Sequence, residues 1–454
     1  MSEILSPSNT LEAATTNLVK RKFIKKLTWL ISGGMFLDGF VLGTIGMVMP
    51  AITKDLGLSL TWQGLIGSGA LIGVFFGSLL GGWLSDRIGR RPIFTLNLIL
   101  FLIGSIAQFF VADANTLFLI RILMGIAIGM EYSVGWALLA EFAPAKIRGK
   151  LLVLQEGGWF LGYMAAYIVG YILTIEYPTN WNIIMGLSLI PTVILLILRH
   201  GTPESPRWLM SKGRTAEAID LSTRYMEAEE QKDALKQLPT SAECHHGFAA
   251  LFSPRNIKAT VFMSIFFLCA ITPYFAIGSF VPMVLEKLGF KEGFTGGLFL
   301  NIFSIVGIVF AALLIEKVGR RKLSIPSFYI QAGAFILIGL FGSTSTTLVM
   351  VCFLAFYFFT TIPQAITGVY PGEIFPTEVR SIGSGFVAAM SRVGAALGTF
   401  VMPMGIEAFG VNTMVYFAAA VCILGAIITQ LMAPETTGKT LSDTADKVHA
   451  EVIH

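Results

Sequence analysis

The chain has 454 residues, of which 54% are hydrophobic and 13% charged, with a net charge of +4. Water-soluble domains carry about a quarter charged residues, so this composition excludes a soluble globular core and makes lipid the natural solvent. The small net charge gives no sign of a nucleic-acid partner, and 47 glycines suit helices that approach closely in a bilayer.

The first 26 residues are polar and end in the basic cluster Lys20, Arg21, Lys22, Lys25 and Lys26. They read as a tail, because the apolar run that follows is long enough to stay in the membrane. A spanning helix takes roughly 20 apolar residues. Six are predicted over 27–49, 62–84, 92–111, 116–140, 151–174 and 181–199. A polar stretch over 200–256 follows, then six more over 257–282, 294–315, 323–342, 346–370, 382–404 and 411–432. The expected organisation is an N-terminal tail 1–26, a six-helix bundle 27–199, a central loop 200–256, a second bundle 257–433 and a C-terminal tail 434–454.

Lys and Arg alternate between the loops. One set holds Arg87, Arg90, Arg91, Lys146, Arg148, Lys150, Lys317, Arg320, Arg321, Lys322 and Arg380, with further basic residues in the central loop. The other set holds only Lys54, Lys287 and Lys291. The positive-inside rule then puts both termini and the central loop in the cytoplasm. Cysteine carries no site. Cys269, Cys352 and Cys422 lie in apolar runs, and Cys244 with His245 and His246 sits in a polar loop without metal-ligand spacing. Neither a metal nor a cofactor is expected.

The chain repeats itself. Asp86-Arg87-Ile88-Gly89-Arg90-Arg91 recurs as Glu316-Lys317-Val318-Gly319-Arg320-Arg321. Glu141, Pro144 and Arg148 recur as Glu373, Pro376 and Arg380. Both echoes fall in the basic loops at one displacement, as expected of two bundles in the same orientation rocking about a midplane site.

Gly82-Trp83-Leu84-Ser85-Asp86-Arg87-Ile88-Gly89-Arg90-Arg91 resembles the loop signature between helices 2 and 3 of the major facilitator superfamily. Its second copy has Ala312 and Glu316 in place of the leading Gly and the Asp. Pro203-Glu204-Ser205-Pro206-Arg207-Trp208-Leu209 resembles the signature after helix 6 of sugar porters, and Pro434-Glu435-Thr436-Thr437-Gly438-Lys439-Thr440-Leu441 the one after helix 12. The resemblance runs from about residue 27 to 441. It implies an all-α membrane protein with twelve transmembrane helices in two six-helix bundles related by a parallel repeat.

The motifs read as a conformational latch. A carboxylate at a helix end pairs with Arg and accepts bonds from a helix N-terminus. The gating residues expected in one half are Asp86, Arg90 and Arg148, joined by Glu204 and Arg207. Their counterparts are Glu316, Arg320, Glu373 and Arg380, joined by Glu435. The alternative is that these are helix caps and topogenic charges.

Ionisable residues inside spans are functional candidates. Asp38, midway along the first span, and Arg121 in the fourth match the Asp and Arg that pair in proton-coupled relatives of this branch. Such a pair is either a proton switch or a fixed tie between helices. Glu131 reads as a second protonation site, a cation ligand or the partner of a buried Arg, and Glu156 adds gating or simple hydration to these readings. Arg392 lies mid-span among Ala388, Ala389, Ser391, Gly394, Ala395 and Ala396. Its planar fork fits a carboxylate or phosphate; the alternative is a pair with Asp38 or Glu131. Trp159, Tyr163, Tyr274, Tyr357 and Gln364 are candidate cavity residues.

Hexose porters carry a Gln-rich seventh helix. Here that span reads Phe267-Leu268-Cys269-Ala270-Ile271-Thr272-Pro273-Tyr274-Phe275, without Gln or Asn, and the fifth has Gln155-Glu156-Gly157-Gly158-Trp159 in place of Gln-Leu-Ser. The chain therefore looks closer to the metabolite:proton symporters near the niacin and synaptic-vesicle-protein-like carriers. That resemblance implies proton-coupled symport of a small organic metabolite, foremost a carboxylate, in a bacterial inner membrane by a monomer. Uniport or export of a sugar-like or cationic metabolite is the alternative. A nutrient sensor with a transporter body is a third reading, against which the short C-terminal tail counts. No metal cluster, nucleotide loop or nucleophile motif supports an enzyme.

Overall fold

The computed structural model describes residues 7–173, 180–236, 247–278, 293–342, 345–376 and 378–439. Cys244, His245, His246, Lys287, Lys291, Thr440 and Leu441 lie outside the described residues.

The N-terminal half holds α1 (Pro7–Leu56), α2 (Leu60–Ile88), α3 (Arg90–Gln108), α4 (Ala114–Phe142), α5 (Arg148–Tyr171), and α6 (Trp181–Gly186) with α7 (Leu189–Arg199). Short helices α8 (Pro206–Ser211), α9 (Thr215–Tyr225) and α10 (Ala228–Lys236) follow, then a 3-10 turn at Phe248–Phe252. The C-terminal half holds α11 (Ile257–Gly278), α12 (Gly293–Val318), α13 (Arg320–Phe341), α14 (Thr346–Thr367), α15 (Tyr370–Ile374) and α16 (Arg380–Met432).

Eleven stretches among the described residues are long and apolar enough to cross a bilayer. α5, with 24 residues, supplies the twelfth; Gln155 and Glu156 lower its apolarity. Apolar side chains such as Phe110 (78% exposed) and Ile197 (69%) cover the outside, where acyl chains replace water as their solvent.

Three elements differ from the sequence reading for local reasons. α1 starts at Pro7, well inside the predicted tail. No Gly or Pro interrupts residues 8–32, and proline suits a first helical position because it needs no N–H there. The sixth span is two helices, α6 and α7. Pro191 cannot donate to Leu187, so the chain turns there and Ile190 donates to the Leu187 carbonyl at 3.1 Å instead. The last two spans form one helical run broken at Gly410, whose φ of 80° is open to glycine.

Within the halves, α1 packs on α5 and α2 on α4; between them, α2 meets α16 and α5 meets α12. Small residues set the closest approaches. A Cβ at Gly162 would strike the Phe36 carbonyl, and one at Gly39 the Trp159 carbonyl, so α1 and α5 touch backbone to backbone.

Candidate functional site

The repeated loop motifs build one structure twice. Gly89 (φ 113°) and Gly319 (φ 97°) turn the chain between α2 and α3 and between α12 and α13. The turn exposes the first N–H groups of α3 and α13, and a glutamate caps each. Glu204 accepts from Arg90 N (2.9 Å) and Arg91 N (3.2 Å). Glu435 accepts from Arg320 N (3.1 Å) and Arg321 N (3.3 Å). A Cβ on either glycine would meet the capping carboxylate.

The two caps differ in charge environment. Burial outweighs the bonds that Glu204 accepts and pushes its carboxyl above the usual range. Glu435 is also raised by burial, but the Thr437 hydroxyl and the N–H groups of Arg320, Thr437 and Arg321 outweigh this and hold it low.

Beside the caps, Arg90 pairs with Asp86 (2.8 Å) and Glu141 (3.2 Å). Arg320 pairs with Glu316 (2.7 Å) and Glu373 (2.9 Å). Among the described residues, carboxylates of this cluster make three contacts across the halves. Asp86 Oδ2 accepts from Ile382 N at the start of α16 (2.8 Å). Glu316 Oε1 accepts from Lys150 N at the start of α5 (3.1 Å). Arg380 reaches Glu141 at 3.1 Å. Each half thus supplies a carboxylate to a helix N-terminus of the other. Arg148 is buried and donates to the Lys439 carbonyl at 3.4 Å. Arg207 pairs with Asp233 of α10 (2.7 Å) and lies close enough to Glu141, Arg148 and Arg380 for its charge to act on them.

Between the halves lies a cavity of about 30 Å³, room for little more than water. α4 contributes Tyr132 and Trp136, α5 Glu156, Trp159 and Phe160, and α11 Phe267, Ile271 and Phe275. α14 contributes Gln364 and Thr367, and α16 Ser391 and Arg392. Four sequence candidates, Arg392, Gln364, Trp159 and Glu156, therefore meet in one place. Tyr274 stands behind the wall, 5.9 Å from the Trp159 ring. Gln155 is buried outside the lining.

Arg392 is 6% exposed, and its Nε and Nη1 have no hydrogen-bond partner. Its guanidinium lies over the rings of Tyr132 (5.1 Å) and Phe275 (5.3 Å), contacts that favour a cation without spending its fork. It makes no ion pair with Asp38 or Glu131 among the described residues. Glu156 accepts from Trp136 Nε1 at 2.5 Å.

The other intramembrane charges form a second cluster. Glu131 binds Arg199 at 2.6 and 2.8 Å and also accepts from Asn97. Arg199 further donates to the carbonyls of Phe94 (3.0 Å) and Leu30 (3.3 Å) and stacks 3.6 Å from the Phe94 ring. A Cβ at Gly34 would fall on this pair. Asp38 is fully buried, and neither oxygen has a hydrogen-bond partner. The strongest charges acting on it are Glu131 and Arg199, then Glu156 and Arg392. Arg121 is not bonded to it; Arg121 Nη1 donates to the Val41 carbonyl, 3.0 Å away and one turn further along α1.

Sequence reasoning missed Arg199 and Asn97, Tyr132 and Trp136. Arg199 ends a predicted span and reads as a boundary charge. The i, i+4 spacing of Tyr132 and Trp136 puts them on one helix face with the Glu131 candidate's neighbours, a signal that was available but shared with any packing face.

Comparison with known proteins fits this geometry. The family described as sugar (and other) transporter matches residues 24–447. The inner membrane metabolite transport protein YgcS of Escherichia coli is 36% identical, over 94% of this chain and 95% of its own. The arabinose-proton symporter of Bacillus subtilis is 33% identical, over 91% and 93%. Among solved structures, the major facilitator proton:xylose symporter XylE superposes with a TM-score of 0.80 at 21% identity, covering 95% of this chain and 100% of that one. These relatives are transporters, not enzymes. The chain therefore belongs to the sugar (and other) transporter family, and is a multi-pass membrane metabolite transporter with the twelve-helix fold of the major facilitator superfamily.

Proposed function

We propose that this transporter carries a small organic carboxylate together with protons by alternating access. The observation that carries the substrate class is Arg392: a cation that keeps its charge at physiological pH, held in the central cavity with two donor groups unspent. Three neutral donors nearby are already committed. Thr367 and Ser391 donate to the Gln364 and Ala388 carbonyls (both 2.6 Å), and Gln364 to Ala270 O (3.3 Å) and Thr360 (3.4 Å). A polyol needs several free neutral donors, whereas a carboxylate needs the fork.

Asp38 is the proposed proton carrier. A buried carboxylate with no bonded partner is costly when charged, so its proton is exchanged when its surroundings change. Arg121, one turn away on the Val41 carbonyl, is the cation it meets in the alternate state. Glu131 is balanced by Arg199, which favours the reading of a fixed ion pair that anchors Asp38's neighbourhood. Symport is supported by the proton-coupled arabinose symporter among the relatives.

The latch contacts close one end of the molecule, and the positive-inside pattern makes that end cytoplasmic, with both termini. The moving bodies are the bundles 27–199 and 257–433, joined by 200–256, working as a monomer. The test is uptake into proteoliposomes of a carboxylate that binds. Asp38→Asn is expected to lose pH-driven accumulation while keeping exchange. Full proton-driven accumulation by that variant would end the coupling assignment.

A further inference from the structure

We propose that the protein holds the headgroup of an anionic phospholipid in a pocket beside its first helix, with the lipid phosphate between Lys22 and Lys26.

A second cavity, of about 270 Å³, is bounded by α1, the turn after α7 and the end of α9. Its charged lining residues are Lys22 and Lys26, one helical turn apart on α1. Neither makes an ion pair or a hydrogen bond with a described residue, and no carboxylate lines the cavity. Two unbalanced ammonium groups on one wall suit a phosphate. Beside them, Phe23, Leu27 and Leu30 form an apolar wall. Tyr225 closes the cavity from α9, its ring 4.2 Å from that of Phe23. Its hydroxyl bonds no described residue and is a further donor for a phosphate oxygen. Gly201 (φ 79°) turns the chain at the rim, and a Cβ there would meet nothing, so the opening is clear.

The surface around the pocket selects a lipid over a soluble phosphate. Leu18, Val19, Lys22, Lys25, Lys26 and Trp29 share one face of α1, about a third of its circumference at about 100° per residue. All six are exposed, Leu18 at 52% and Trp29 at 77%. A face that mixes lysine with large apolar side chains is solvated by a membrane interface, with phosphates at the lysines and acyl chains under the rest, and tryptophan settles at that depth. Ile197 and Leu198 of α7, just before the turn, are exposed as well. The pocket therefore opens where the apolar outer surface ends. A soluble phosphate would meet the lysines alone, whereas a phospholipid meets the lysines and covers the apolar side chains. The site lies at the latch end: Pro203 precedes Glu204, the cap of α3, and Phe23 packs edge-on against Phe142 at 5.1 Å, next to Glu141.

The experiment is calorimetric titration of the purified full-length protein in neutral detergent with dihexanoyl phosphatidylglycerol, dihexanoyl phosphatidylcholine and inorganic phosphate. The salt is held at about 0.15 M, where exposed charges more than about 8 Å away are screened. Phosphatidylglycerol is expected to bind at least about ten-fold more tightly than phosphatidylcholine, whose ammonium cancels the phosphate charge. Inorganic phosphate, which leaves the apolar face uncovered, is expected to fall below detection. Each lysine at an anionic lipid is worth about five-fold in affinity, so Lys22→Gln with Lys26→Gln is expected to lose about 30-fold for phosphatidylglycerol. Arg21→Gln with Lys25→Gln removes the same charge from exposed residues outside the lining and is expected to lose no more than about three-fold. The lipid ratio is read first on the wild-type protein, so a variant that fails to fold does not remove the test. Equal binding of the two lipids, or equal losses in the two double variants, would overturn the site. Inorganic phosphate binding as tightly as phosphatidylglycerol would overturn the lipid and show a soluble-anion site instead.

Discussion

Removing the two crossed helix caps should open the latch end by a calculable amount. Asp86 and Glu316 each stay with their own arginine, Arg90 and Arg320, whichever way the halves rock, because each pair lies within one half. The bonds that these two carboxylates accept from Ile382 N (2.8 Å) and Lys150 N (3.1 Å) cross between halves and are lost on opening. A charge-assisted hydrogen bond contributes about 1.5–3 kcal/mol, so Asp86→Ala or Glu316→Ala should each shift the closed-to-open ratio by about ten- to a hundredfold. The two caps share no partner, so their effects should nearly add, to about 3–6 kcal/mol in the double variant. The Arg380 to Glu141 pair at 3.1 Å remains and limits the opening. Spin labels at the exposed positions Lys146 and Glu378, which precede α5 and α16, would report the distance between the halves. Each single variant should add a longer distance, and the double variant should make it dominant. An unchanged closed distance in the double variant would refute the latch.

Other expectations follow from the same geometry. Arg199→Met leaves the Glu131 carboxylate buried without its cation and should cost about 3–5 kcal/mol of stability; the paired change Arg199→Met with Glu131→Leu should recover most of it in thermal unfolding. Gly34→Ala drives a methyl into that ion pair and should lower the melting temperature, whereas Gly64→Ala, where a Cβ meets nothing, should not. Glu435, held below the ordinary carboxyl range, contributes stability that is present above that range and lost as pH falls through its lowered value; Glu435→Gln should flatten the acid limb of the stability profile. Glu204, raised by burial, has the opposite sign: it favours the fold at low pH and that contribution fades as pH rises through its raised value, so Glu204→Gln should flatten a slope just above the usual carboxyl range.

The fold and the paired loop clusters were legible because lipid and repetition leave strong signals. Span length follows from bilayer thickness, and two copies of one loop motif mark the same job in each half. The pairing of Asp86 and Arg90, and of Glu316 and Arg320, also follows from their four-residue spacing near a helix end. That the carboxylates would cap helices of the opposite half was not legible, because it depends on how the bundles meet. Arg207 adds a partner that its motif does not name: it pairs with Asp233, in a helix of the central loop, while its charge acts on Glu141 of the loop cluster. Buried ion pairs such as Glu131 with Arg199 join residues far apart in sequence, and nothing in either neighbourhood names the partner. Arg121 faces the Val41 carbonyl instead of Asp38, a distinction of one helical turn that no spacing rule resolves. The cavity's aromatic walls were half visible: Trp159 stood out, while Tyr132 and Trp136 look like ordinary packing residues until α11 is placed against them.

The most direct test of the substrate assignment is a thermal-shift comparison of the wild-type protein and Arg392→Ala against small carboxylates, sugars and amines at acidic and neutral pH. A ligand that binds the native state raises its apparent stability by mass action. The account predicts stabilisation by a carboxylate in the wild-type protein and its loss in Arg392→Ala, with the variant's own unfolding still cooperative. Stabilisation by a sugar or an amine, undiminished in Arg392→Ala and with no carboxylate active, would contradict it.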